Sequence, residues 1–254
     1  ILFLGRLATM ILSLILGWFI FQWAKEASPL RGLLALFLYA FDSAILAHSR
    51  YITTDVGVAL FMFLTIYYGK KYFQNPGRGT LLWLSLFFAL AQASKFSAIL
   101  LMPMLFLLAY SEKKFSAKNF LKMTIFIFIV TVGVLEILYF FKPGAYITGW
   151  RLLFSSMSGG HGGFPSYLLG YTDKLGFRSY FPLAFLFKTS PVIVILLFVG
   201  LLSNLKNLFK FRYLLVPISV YMAFSIMSTL NIGIRHLIPL YPFLFVFIAQ
   251  SVKN

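Results

Sequence analysis

The chain has no cysteine. Disulfides, thiolate nucleophiles and thiolate metal centres are therefore excluded, and the redox compartment leaves no trace. Acidic residues are almost as scarce: six Asp and Glu stand against 22 Lys and Arg, a formal net charge of +16 over 254 residues. Only three histidines are present, His48, His161 and His236. There is no Gly-rich phosphate loop, no zinc-protease helix motif and no nucleophile elbow.

What the chain has instead is apolar length. It is 61% hydrophobic and 11% charged. A water-soluble core cannot absorb that much apolar surface, so the bilayer is the expected solvent for most of it. The apolar residues form continuous runs rather than an alternation. That favours an all-α, polytopic transmembrane helical bundle over a membrane barrel. The runs lie at roughly 7–24, 33–47, 56–69, 81–94, 97–110, 120–141, 183–203, 213–230 and 237–251, which predicts about nine membrane segments. Several fall short of the ~20 residues of a full span, as broken helices beside a polar cavity do.

In a soluble protein so basic a composition would point to nucleic acid. Here the cations fall in short loops between apolar runs, so they are read as orientation signals and no nucleic-acid partner is expected. Lys25 and Arg31 form one basic loop, Lys70, Lys71 and Arg78 a second, Lys113, Lys114, Lys118 and Lys122 a third, and Lys206, Lys210 and Arg212 a fourth. All four share the cytoplasmic side if Lys95 marks a turn between two short helices. The polar stretches 48–55, 94–95, 142–180 and 231–236 then share the opposite side. The stretch at about 142–182 is the one long polar segment, and it reads as an outer loop of the kind that forms lids and binding surfaces.

Asp55 closes a polar island between two apolar runs. A carboxylate at a membrane edge is costly without a task or a partner. It either interacts with the N-terminus of its own helix or faces a cavity, where it would bind sugar hydroxyls, a metal or an attacking hydroxyl. Asp42 is expected to pair with His48 or Arg50, and Glu136, inside an apolar run, either pairs with a base or is protonated. Lys95, Lys188 and the Arg235-His236 pair are candidate anchors for an anionic lipid phosphate, with interfacial snorkelling as the competing reading. His48, Arg50, His161, Tyr171 and Asn231 join them as candidate substrate-binding residues. No pair of metal-ligand residues has a helical i,i+3 or i,i+4 spacing, so no metal ligand is assigned, although a divalent metal at the histidines and Asp55 stays open.

Five segments occur in a telling order: Ala47-His48-Ser49-Arg50-Tyr51-Ile52-Thr53-Thr54-Asp55, Ala93-Ser94-Lys95-Phe96-Ser97, Tyr167-Leu168-Leu169-Gly170 ahead of Tyr180-Phe181-Pro182, Phe187-Lys188-Thr189, and Asn231-Ile232-Gly233-Ile234-Arg235-His236-Leu237-Ile238-Pro239-Leu240-Tyr241-Pro242. Together they resemble the dolichyl-phosphate-mannose protein mannosyltransferase family, in its bacterial branch. The lipid A aminoarabinose transferases are more distant cousins. The resemblance implies a C-type glycosyltransferase fold, with 1–254 as part of a single membrane domain. It implies inverting transfer of a mannose-like sugar from a polyprenyl-phosphate carrier to a hydroxyl of a protein or glycan acceptor. The reaction would take place on the non-cytoplasmic face of a bacterial plasma membrane.

By the same resemblance, Asp55 matches the acidic position of the second outer loop, and Lys95 and Arg235 fall where cations would hold the lipid phosphate. The family's main catalytic acid lies in the first outer loop. The chain opens on Ile1 without the features of a signal peptide, so that acid is expected to precede it. Two other readings stand beside the enzyme: a transporter, whose polar groups would follow a path across the membrane, and a non-catalytic membrane scaffold.

Overall fold

A computed structural model describes residues 2–112, 115–158 and 165–252. The chain is all-α apart from one small hairpin. The helices are α1 (Leu2–Lys25), α2 (Pro29–Ala40), α3 (Ser43–His48), α4 (Asp55–Gln74), α5 (Arg78–Ser94), α6 (Leu101–Tyr110), α7 (Ala117–Leu138), α8 (Pro143–Ser158), α9 (Tyr180–Lys188), α10 (Pro191–Ser203), α11 (Arg212–Met227) and α12 (Tyr241–Ser251). Tight 3-10 turns at Phe96–Leu100, Leu205–Phe211 and Ile234–Leu240 lead into α6, α11 and α12. Strands β1 (Ser166–Leu168) and β2 (Tyr171–Asp173) pair antiparallel, with Ser166 opposite Asp173. Leu169 and Gly170, both at positive φ, make the two-residue turn that such a hairpin needs.

Four of the described helical segments are long and apolar enough to cross a bilayer: 3–25, 117–138, 205–227 and 234–251. Helices α9 and α10 make a fifth if taken as one span, although they meet at 111°. Pro191 opens α10 and removes a backbone donor at the bend. Of the remaining apolar runs, the one at 56–69 lies in the 20-residue α4, which is not among these candidates, and the others form shorter helices. The run predicted over 33–47 is divided at Asp42, whose Oδ1 accepts the Ile45 N–H at 2.9 Å and caps α3. Capping replaces the expected pairing with His48 or Arg50, since no base lies within ion-pair distance of Asp42 among the described residues.

The segment read as an outer loop is partly helical. In α8, Tyr146 and Trp150 lie four residues apart and so share a face. Their rings meet Phe96, with centroids 5.3 and 5.1 Å away. That aromatic seam supports a helix in a stretch whose Gly and Ser content suggested irregular chain.

Helix α4 is the axis of the bundle, with 15 of its 20 residues buried. An all-round apolar surface of this kind requires neighbours on every side. Trp23 of α1 packs on Phe63 and Tyr67 of α4 and on Phe243 of α12, at centroid distances of 4.9, 5.3 and 6.3 Å. Aromatic pairs at these separations add to what burial alone contributes.

The two ends of this axis differ chemically. At one end Lys70 pairs with Glu26, and Arg212 pairs with Glu112. Phe115 packs on Tyr72 and Phe73, and Arg31 donates to the Val252 carbonyl at 2.8 Å. These contacts gather the loops that carry Lys25, Lys70 and Lys71 and the start of α11. Lys113 and Lys114 of the third basic loop lie outside the described residues. At the other end of α4, about 30 Å away at 1.5 Å per residue, is Asp55.

Candidate functional site

Asp55 begins α4, one residue after Thr54, whose side chain makes no capping bond. Its carboxylate reaches instead to Lys95, whose Nζ donates to Oδ1 at 2.8 Å. The residues are forty apart in sequence, and Asp55 is only 4% exposed. Lys95 is delivered by a break in the helix: it is extended, at φ −161° and ψ 139°, between α5 and the turn that opens α6. A continuous helix through this point would have carried the amine elsewhere. The other carboxylate oxygen of Asp55 lies 3.9 Å from His48 Nδ1.

The positive charges of Arg235 and Lys95 and the negative charge of Asp55 all act on the His48 ring. Burial has the largest influence and lowers its proton affinity below the ordinary histidine value; Asp55 opposes this, while Arg235 and Lys95 reinforce it. His48 is thus neutral at pH 7. The unfolded chain takes up a proton first as pH falls through about 6.5, so folding stability declines below that point. Thermal unfolding in detergent should show the decline between about pH 7 and 5.5, and His48→Gln should flatten it.

His236 completes the cluster from the turn before α12. It is 6% exposed and lies between Phe181 (centroids 5.1 Å apart) and Tyr221 (5.7 Å). Neither ring nitrogen has a hydrogen-bond partner among the described residues. A buried imidazole without a partner is expensive, and such groups call for an explanation. Asp55, Lys95 and Arg235 all lie close enough to act on it electrostatically. Tyr221, fully buried, is 3.3 Å from Ser97 through its hydroxyl, and the Asp55 charge reaches it as well.

Asp55, His48, Lys95 and His236 therefore converge from four separate segments, and Arg235, next to His236 in the chain, stands exposed at their edge. The other predicted residues sit apart from them. Arg50 is exposed on the loop beyond His48. Lys188 ends α9 and Tyr171 lies on β2; both are exposed, and no contact among the described residues joins them to the cluster. His161 lies outside the described residues. Asn231 is buried and holds the chain after the hairpin, its Oδ1 accepting the Phe177 N–H at 2.7 Å. Among the described residues no three His, Asp or Glu side chains gather as a metal site would require.

Gly176 makes the docking at Asn231 possible. Its φ is +74°, and a Cβ there would lie 2.7 Å from both Asn231 Oδ1 and the Thr229 carbonyl. Gly176→Ala should therefore release this segment at a cost of more than about 1 kcal/mol. Faster limited proteolysis between residues 165 and 180, with little change elsewhere, is the expected reading.

Tyr221, Ser97 and Phe181 border the cluster; Ser97 and Phe181 stood in two of the ordered segments without being given a role, and Tyr221 was signalled only by a hydroxyl-bearing ring in the middle of an apolar run.

A groove of about 760 Å³ runs beside the cluster between α1, α2 and α3. Most of its lining is apolar, including Leu14, Trp18, Phe21 and Leu36. Its polar end is a chain of hydroxyls: Ser13 Oγ bonds Tyr39 at 2.6 Å and Ser49 at 2.9 Å. Ser49 is adjacent to His48, so the groove and the charged cluster are neighbours.

A partly buried acid–base cluster thus lies at one end of the helical bundle, beside an apolar groove. Residues 2–138, more than half of the chain, match the dolichyl-phosphate-mannose-protein mannosyltransferase family. The protein belongs to that family, and is thereby an integral membrane glycosyltransferase that draws on a lipid-linked sugar donor. No curated protein and no solved structure gives a further match.

Proposed function

We propose that the protein has a C-type glycosyltransferase fold of nine membrane passages and transfers a mannose-like sugar from a polyprenyl phosphate to an acceptor hydroxyl of a protein or glycan. The site faces away from the cytoplasm. The observation that carries this reading is the convergence of Asp55, Lys95, Arg235 and two histidines beside a lipid-sized groove.

The chemistry follows from the charges. Breaking the bond between sugar and phosphate leaves negative charge on the departing phosphate. In this reading Lys95, partly buried against Asp55, stabilises that charge where ion pairing is stronger than in water, and the exposed Arg235 binds the phosphate from the rim. A phosphate departs without being protonated, so these cations suffice on that side. The prenyl chain lies in the groove between α1 and α3, with its head beside Ser49 and His48. Asp55 holds Lys95 in place and, through its second oxygen, stands near His48, where sugar hydroxyls need acceptors. Polar groups gathered at one end, rather than strung along a path, favour transfer over transport.

The outward orientation rests on the basic loops at the opposite end, by the positive-inside rule. The absence of cysteine makes it directly testable. In intact bacterial cells a membrane-impermeant maleimide should label Arg50→Cys, at the polar end, and leave Lys206→Cys unlabelled until the membrane is opened. The reverse pattern would overturn the orientation. Transfer itself is tested in proteoliposomes holding the full-length protein and a radiolabelled polyprenyl-phosphate mannose. Arg235→Ala should weaken use of the donor by about tenfold to a hundredfold, as loss of a charge-assisted contact does. Unchanged transfer would remove Arg235 from the site.

A further inference from the structure

A second cavity, of about 500 Å³, lies between α5, α6, α7 and α8, and the donor chemistry makes no use of it. Glu136 of α7 lines it, and among the described residues no base stands within ion-pair distance of that carboxylate. Gln92 of α5 lines it as well. Gln92 is 4% exposed, and its Nε2 has no hydrogen-bond partner among the described residues. The Glu136 carboxyl, which an arriving cation would ionise, and an unused buried donor thus face one space. Tyr139, Tyr146 and Trp150 supply aromatic rings beside them.

The two polar groups occupy the same level. Gln92 lies two residues before the end of α5, and Glu136 two residues before the end of α7. Both ends are at the polar end of the bundle. From there the cavity follows one face of α7 through Leu135, Thr131 and Phe128 to Thr124. Twelve residues separate Glu136 from Thr124, about 18 Å of helix. Phe128 is largely exposed on the bilayer side, so the space is open to lipid. Polar at the top and mostly apolar along its length, where Thr131 turns its hydroxyl to the Ile127 carbonyl and Thr124 adds one hydroxyl at the far end, the cavity has the profile of a single lipid with its head at the membrane surface.

The polar groups select among lipids. A carboxylate rejects a phosphate monoester and accepts hydrogen bonds from a primary ammonium. Aromatic rings favour the same cation. The Gln92 amide needs an oxygen acceptor. A headgroup that pairs a primary ammonium with a phosphodiester satisfies both. Choline offers no N–H, and glycerol offers no charge. We infer that the cavity between α5 and α8 binds an ethanolamine phospholipid from the leaflet at the polar end, with its ammonium on Glu136 and a phosphate or ester oxygen on Gln92.

Native mass spectrometry of the detergent-purified full-length protein, titrated with defined lipids, tests this. Phosphatidylethanolamine should be retained about tenfold better than phosphatidylglycerol, with phosphatidylcholine between them. Glu136→Gln, nearly isosteric, should abolish the preference, and Gln92→Leu should weaken it. Ethanolamine lipid brominated in its chain should quench Trp150, a signal that Trp150→Phe removes. Equal retention of the ethanolamine and glycerol lipids would overturn the inference. So would displacement of the ethanolamine lipid, one for one, by polyprenyl phosphate, which would make the cavity a second donor groove.

Discussion

Lys95→Met should be the most damaging single substitution in the polar site. It leaves Asp55 as a buried carboxylate without the cation now 2.8 Å away. Removing one member of a buried pair costs about 3–5 kcal/mol, because the remaining charge stays desolvated. Sugar transfer should fall by a factor of about 10²–10³, the usual loss when a preorganised charge is withdrawn from a departing anion. Stability and chemistry are separated by the double variant Asp55→Asn with Lys95→Met. The pair is then neutral, so the thermal midpoint in detergent should return most of the way while transfer stays lost. A Lys95→Met protein that transfers sugar at the original rate would remove Lys95 from the mechanism.

His236→Phe should behave in the opposite way. The imidazole occupies an aromatic niche between Phe181 and Tyr221, and both of its nitrogens are buried without partners. Phenylalanine fills the same niche and removes the unsatisfied groups, so the folded state should gain about 1–3 kcal/mol. If those nitrogens serve the substrate, transfer should fall by at least about a hundredfold, the trade between stability and activity expected at a working site. A raised thermal midpoint together with lost transfer is the predicted signature. A stabilised variant that stays fully active would show His236 to be a packing residue alone.

The charges that meet at Asp55 were legible in the sequence, because bilayer proteins make charge conspicuous. Asp55 and Lys95 stood out as charges between apolar runs, and the break at Lys95, on which the expected orientation depended, is a real interruption of the helix. The niche around His236 was not legible. Its walls come from α9 and α11, and ring packing between segments so far apart leaves no local pattern. The same holds for Asn231, whose role in clamping the chain near Gly176 depends on a contact 54 residues away. The helix at α8 was hidden differently. Its glycines read as loop, while the support it receives from Phe96 is tertiary and overrides propensity.

Helix α4, enclosed by its neighbours and charged at Lys70 and Lys71, is not among the segments apolar enough to cross a bilayer alone. A translocon that sorts nascent segments by hydrophobicity would hesitate to release it into lipid. Its closest packing partner, α5, is synthesised only after it. Biogenesis should therefore hold α4 at the insertion channel until α5 emerges, so that the two enter the membrane together as a hairpin. The helix that carries Asp55 thus enters the lipid phase only once its packing partner has been made.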